Sequence, residues 1–136
     1  MSVAVLDASA LLALVQDEPG AARVQDALAR GVLMSAVNWA EVLSRLAELG
    51  VAPESAGARL HAGTAGDDAL TVVPFDVAQA RDVARLRQPT RHLKLSLGDR
   101  ACLALGRATR LPVLTTDGAW RAVSRRLRVR VEVIRL

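Results

Sequence analysis

At 136 residues, 51% of them hydrophobic and 24% charged, the chain is long enough to bury a core and too apolar to be disordered. A net charge of +4 and a pI near 10.9 suit a polyanionic partner such as nucleic acid. A single cysteine, Cys102, excludes an internal disulfide, and its apolar helical surroundings suit a small buried hydrophobe.

The apolar start is broken at Asp7 and has no basic residues before it, so no secretory leader is expected. No apolar run approaches the ~20 residues needed to cross a bilayer, and a cytoplasmic location is the expectation. Of the 18 basic residues all but Lys94 are arginine, and Arg121, Arg125, Arg126, Arg128, Arg130 and Arg135 crowd the end of the chain, opposed there by Glu132.

Val3-Ala4-Val5-Leu6 is an apolar β-type run that stops on Asp7. Residues 8–16, rich in Ala and Leu, predict a helix capped by Asp7 or Ser9, and Asp17-Glu18-Pro19-Gly20 breaks it. A second helix is predicted over 21–30, and Gly31 leads to a short strand over 32–35. Residues 37–49 predict a clearer helix, with Trp39, Val42 or Leu43, and Leu46 on one face and Asn38, Glu41, Arg45 and Glu48 as a polar stripe. Pro53 opens a helix to about His61, and the glycines and acids of 62–69 read as a loop.

A strand is predicted over 70–74, then a helix capped by Asp76 and running to about Leu86. Residues 87–94 are an irregular basic stretch containing Pro89 and His92. A helix opens at Ser96 with Asp99 in its first turn, a buried strand from Val113 ends on Asp117, and a short helix spans 118–125. The last strand, 129–133, alternates Val with Arg or Glu and reads as half exposed at an edge. Strands alternating with helices imply one α/β domain over 1–136 around a mostly parallel sheet, with no internal repeat.

In a parallel sheet the carboxyl ends of the strands share one edge, where ligand sites form. Asp7 and Asp117 end strands and Asp99 opens a helix, so all three fall along that edge, and Glu41 projects toward it from the helix after a strand. Each acid also has an ordinary reading. Asp7 and Asp117 suit N-caps, Asp99 a capping box with Ser96, and Glu41 a helical ion pair with Arg45. Jointly they conflict, since two unit charges ~4 Å apart cost about 4 kcal/mol at an effective dielectric near 20. A divalent cation removes that conflict, and oxygen-only ligands point to Mg2+ or Mn2+. His61, His92 and Cys102 make no spaced ligand set, which argues against zinc. Carboxylate-held metal beside a basic surface suits phosphodiester hydrolysis.

Four blocks carry a resemblance: Val5-Leu6-Asp7-Ala8-Ser9-Ala10-Leu11-Leu12, Ser35-Ala36-Val37-Asn38-Trp39-Ala40-Glu41-Val42, Leu95-Ser96-Leu97-Gly98-Asp99-Arg100-Ala101-Cys102-Leu103-Ala104-Leu105 and Val113-Leu114-Thr115-Thr116-Asp117-Gly118-Ala119-Trp120. In these the chain resembles the PIN-domain ribonucleases, in particular VapC-like toxins of bacterial toxin–antitoxin pairs. The resemblance implies a three-layer α/β/α sandwich and a metal-dependent endoribonuclease whose acids are Asp7, Glu41, Asp99 and Asp117. Asp7, Asp99 and Asp117 would ligate the metal, and Ser9, Asn38 and Thr116 would orient those ligands or touch substrate. It also implies a homodimer and a VapB-like antitoxin seated on the cleft. The arginines near the carboxyl end, with Arg87, Arg91 and Lys94, would hold the RNA backbone.

Two other classes stand beside this reading. A Mg2+-binding phosphoacceptor signalling domain usually has adjacent acids after its first strand and a lysine after its last core strand; here Asp7 stands alone and no lysine follows Lys94. A noncatalytic RNA-binding module would want aromatic platforms for the bases, and aromatics make up 2% of the chain.

Overall fold

The computed structural model describes residues 1–62 and 69–135. Five strands, β1 (Ala4–Leu6), β2 (Val32–Ser35), β3 (Leu70–Val73), β4 (Val113–Thr115) and β5 (Val131–Val133), form one sheet in the order β3-β2-β1-β4-β5. Every pairing is parallel, with Val5 opposite Val113 and Leu6 opposite Leu114 across the central pair. The mostly parallel sheet expected from the sequence is therefore fully parallel among the described residues. The final strand lies on an edge, as its alternation predicted, and all three of its residues are half-buried.

Among the described residues seven helices make the crossovers that parallel strands require. They are α1 (Ala8–Val15), α2 (Ala21–Arg30), α3 (Ala36–Glu48), α4 (Pro53–Ala62), α5 (Val77–Arg85), α6 (Leu97–Thr109) and α7 (Arg121–Leu127). Successive strand residues point to opposite faces, and β1 shows the result. Ala4 and Leu6 pack with Leu11 of α1, Val24 and Leu28 of α2, and Val42 and Leu46 of α3. Val5 packs on the other face with Val83 of α5, residues 101–105 of α6, and Trp120, Val123 and Leu127 around α7. The result is the three-layer α/β/α sandwich.

At Gly106 α6 comes close to the sheet: an added Cβ would collide with the Val113 Cγ2 methyl and lie 3.3 Å from Val129 Cγ1. The missing side chain lets α6 press against β4. That contact fixes where the first turn of α6, with Asp99, meets the sheet edge. The expected loop over 62–69 lies, apart from Ala62 and Ala69, outside the described residues. No helix among the described residues is long and apolar enough to cross a membrane.

The strand order reverses between β1 and β4. From β1 the chain moves outward to β2 and β3, then returns to place β4 and β5 on the other side. Such a switch point leaves a crevice at the carboxyl ends of the two central strands, because their following segments depart to opposite faces.

Candidate active site

Asp7 stands at that crevice. It follows β1 directly, its N–H donates to the Leu114 carbonyl at 3.2 Å, and its side chain caps α1. Oδ1 accepts from the Ala10 N–H at 2.9 Å and the Ser9 hydroxyl at 2.7 Å, and Oδ2 accepts from the Thr115 hydroxyl at 2.6 Å. The residue is 6% exposed. Burial pushes its carboxyl up to about 6; the Thr115, Ser9 and Ala10 donors pull the other way, and the nearby Asp99 charge adds to the rise.

The hydroxyls that serve Asp7 also tie the crevice walls together. Ser9 Oγ accepts from the Thr116 N–H at 3.0 Å, and Thr115 Oγ1 accepts from the Asp117 N–H at 3.1 Å. The sequence reading named Thr116 beside the acids, whereas the hydroxyl on Asp7 belongs to Thr115. The reason is register: Leu6 pairs with Leu114, so the next residue of each strand, Asp7 and Thr115, meet at the edge. Thr116 contributes its main-chain N–H.

Asp99 caps α6 reciprocally with Ser96, the Asp99 N–H reaching Ser96 Oγ at 3.1 Å and the Ser96 N–H reaching Asp99 Oδ2 at 3.0 Å. Oδ1 takes no donor among the described residues, and the carboxylate is half-buried beside Asp7. The capping reading and the site reading of this residue thus hold together.

Glu41 is held by Asn38, whose Nδ2 donates to Glu41 Oε1 at 2.9 Å and to the Gly98 carbonyl of α6 at 3.0 Å. Asn38, which the spacing puts on a polar stripe and the resemblance puts beside the acids, is 1% exposed, because α6 covers that side of α3. Its Oδ1 is buried without a partner among the described residues. Gly98 makes room for this arrangement, since a Cβ there would lie 2.7 Å from Glu41 Cδ and 2.9 Å from Oε2. Arg45, the expected helical partner of Glu41, pairs with Glu48 at 3.0 Å, which leaves Glu41 to Asn38.

Asp117, like Glu41, is exposed. β4 ends at Thr115 rather than on Asp117, and the exposed Asp117 carboxylate caps the 3-10 turn Gly118–Trp120 by accepting from the Ala119 N–H at 2.9 Å. Cys102 is buried within reach of the charges of Asp7, Asp99 and Glu41, all three of which act on its thiol. Burial first, then those charges, push that thiol well above its ordinary value, so it supplies no thiolate nucleophile. His92 is exposed in the short 3-10 turn Arg91–Leu93, and the His61 side chain lies outside the described residues.

The donor set suits a hard divalent cation. It is all oxygen, and a buried carboxyl raised by desolvation gains most from a nearby positive charge. Among the described residues no three His, Cys, Asp or Glu side chains stand close enough to hold an ion between them. Mg2+ does not require three, because it keeps several waters and binds through one or two carboxylates. Asp7 and Asp99, whose charges act on one another, would be such a pair.

A family model described as PIN domain matches residues 4–126. No curated protein sequence matches the chain. Among solved structures, a chain of the DNA-bound VapBC from Salmonella typhimurium is similar at 18% identity and a TM-score of 0.68, over 97% of this chain and 98% of that one. A chain of FitAcB from Neisseria gonorrhoeae is similar at 20% identity and a TM-score of 0.68, over 95% of this chain and 96% of that one. A chain of VapBC-5, from the VapBC family of toxin–antitoxin systems of Mycobacterium tuberculosis, is similar at 24% identity and a TM-score of 0.56 over the whole of both chains. At these identities the likeness is one of fold.

Proposed function

The chain belongs to the PIN-domain family, and from that premise we propose that it is a Mg2+- or Mn2+-dependent endoribonuclease, the toxin of a VapBC-type pair. The observation that carries the reading is the buried Asp7 carboxyl, raised to about 6 beside Asp99 at the point where the strand order reverses. An exposed cap has neither that burial nor that neighbour. The low solvent access of Asp7, with three donors on its two oxygens, also disfavours a phosphoacceptor role.

Asp7 and Asp99 would hold the cation, with Glu41 and Asp117 reaching it through water. When bound, the cation supplies hydroxide near neutral pH and offsets charge on the phosphate oxygens. The chain's own part is placement. Ser9, Thr115 and the Ala10 N–H fix both oxygens of Asp7, and Asn38 fixes Glu41 against α6. No side-chain nucleophile is needed: the Ser9 and Thr115 hydroxyl protons are committed to Asp7, and the Cys102 thiol stays protonated.

The toxin assignment brings with it a VapB-like antitoxin covering the acids, an RNA substrate, a homodimer and a cytoplasmic setting. Support for it is the match in fold to chains of VapBC and FitAcB structures. The test is cleavage of single-stranded RNA by the purified chain. Cleavage with Mg2+ or Mn2+ that stops in excess chelator is the expected result, and undiminished cleavage in chelator would end the metal reading.

Thr115→Val supplies a finer check. It keeps the β-branched shape in a buried strand but removes the donor on Asp7 Oδ2. Loss of a hydrogen bond that orients a ligand is expected to lower cleavage by about 10- to 100-fold. The acid limb of the pH–rate profile should move to higher pH, because that bond favours the ionised carboxyl. A profile that only scales down, without moving, would show that Thr115 acts on something other than Asp7.

A further inference from the structure

The arginines and the lysine differ in how they are used. Arg23, Arg45, Arg85 and Arg135 pair with Glu132, Glu48, Asp82 and Glu18. Arg87, Arg91 and Lys94 have no carboxylate in salt-bridge range among the described residues, and all three are exposed. They converge with Thr90 and Leu95 on one cavity of about 290 Å3 between α5 and α6 in the chain.

Three exposed cations line one cavity, and the backbone that carries them is held by hydrogen bonds. The buried Thr90 hydroxyl donates to the Leu86 carbonyl at 2.6 Å, the Leu93 N–H to Thr90 at 3.0 Å and the Lys94 N–H to Arg91 at 3.2 Å. Leu86 and Leu95, at the two ends of the segment, are buried in the core on the α6 face of the sheet. Lys94 ends the turn in the left-handed region at φ 52, which a lysine adopts at a cost of about 1 kcal/mol. The cavity is thus charged, stands on a hydrogen-bonded backbone and has no carboxylate partner among the described residues.

Its contents are indicated by chemistry and by place. Two guanidinium forks and an ammonium suit a tetrahedral phosphate oxyanion. A protein partner would want an apolar anchor, and Leu95, the one apolar residue lining the cavity, is buried. Lys94 precedes Asp99 by five residues, which cannot span more than about 18 Å. We infer that this cavity binds a backbone phosphate of the RNA strand a few nucleotides from the bond that is cut, an inference that rests on the ribonuclease reading above.

The experiment is fluorescence anisotropy of a labelled, unstructured single-stranded RNA with the full chain in chelator, where binding is read without cleavage. The variant is Arg87→Gln/Arg91→Gln/Lys94→Gln. Its control, Arg30→Gln/Arg110→Gln, removes two charges from the segments that lead into β2 and β4, neither of which lines the cavity. The cavity variant is expected to lose about tenfold or more in affinity, equally for unrelated sequences, and to lower the slope of log affinity against log salt by about 2. The control should stay within about twofold of wild type. All three cavity side chains are exposed, so the urea midpoint should not move. An affinity equal to the control's, or a wild-type chain that binds no RNA, overturns the inference. So does a variant that loses an acidic peptide but keeps RNA, which would make the cavity a protein-docking site. Binding that depends on the cavity in a chain that never cleaves RNA counts against the ribonuclease reading and leaves the phosphate site standing.

Discussion

Asp7→Asn is expected to reduce RNA cleavage by more than about a hundredfold, the upper range for residues that only orient ligands, and at the same time to stabilise the metal-free chain. The two effects have one origin. The carboxyl moves from an ordinary 3.8 to about 6 on folding because it leaves water, so the folded state holds its proton more tightly than the unfolded one. Below about pH 4 both states are protonated and the group is neutral in the balance. Between about pH 4 and 6 the native state keeps a proton that the unfolded state has released, so stability falls as pH rises. Above about 6 the full cost of ionising a buried acid is present, on the order of 3 kcal/mol for a shift of this size.

Asparagine removes that cost and keeps an oxygen for the Ser9 hydroxyl and the Ala10 N–H. Urea unfolding in chelator, at pH 4 and at pH 7, should show the variant gaining on wild type by up to about 3 kcal/mol at the higher pH and by little at the lower. Comparing variant with wild type at each pH cancels the other carboxylates. A gap that does not widen with pH would mean that Asp7 is not the buried acid it is taken to be. Unchanged cleavage would remove it from the chemistry.

The legible part of this protein was the part set by local pattern. Apolar runs stopping on Asp7 and after Val113, and helices capped by Asp7, Asp76 and Ser96, gave the element order and a single sheet, because caps and periodicity act within a few residues. The strand order gave no such signal. It depends on which strands meet after α5 and α6 return the chain across β1, and that is decided by packing over long sequence separations.

The site divides in the same way. Asp7 and Asp99 stand out by position, but three of their supports could not be told apart by residue type. Thr115 and Thr116 are adjacent and identical, and only the Leu6–Leu114 register decides which hydroxyl meets Asp7. Asn38 lies on a helix face that looks polar by spacing and becomes buried when α6 packs on α3. Gly98 carries no chemistry at all, and its meaning is the space that it leaves for Glu41. The resemblance names Asn38 beside the acids, and its spacing gives the physical reason: an amide three residues before an acid on one helix face can hold that acid, as it does here.

Gly98→Ala turns that space into a measurement, because its effects on fold and on function should have opposite signs. Alanine is worth about 1 kcal/mol more than glycine inside a helix, so stability should hold or rise. The new Cβ would stand 2.7 Å from Glu41 Cδ, closer than real side chains approach, and the Glu41 carboxylate is the flexible partner that must give way. Moving it takes away the acceptor that Asn38 holds at 2.9 Å and removes Glu41 from its place beside α6. Cleavage is expected to fall by about 10- to 100-fold while the urea midpoint stays level or moves up. The double variant Glu41→Ala/Gly98→Ala identifies the route. If Gly98 acts only by making room for Glu41, the double variant cleaves no worse than Glu41→Ala alone, since nothing is left to displace. Losses that multiply would mean that the methyl disturbs Asp99 in the same helical turn, and wild-type cleavage by Gly98→Ala would mean that the position of Glu41 does not matter.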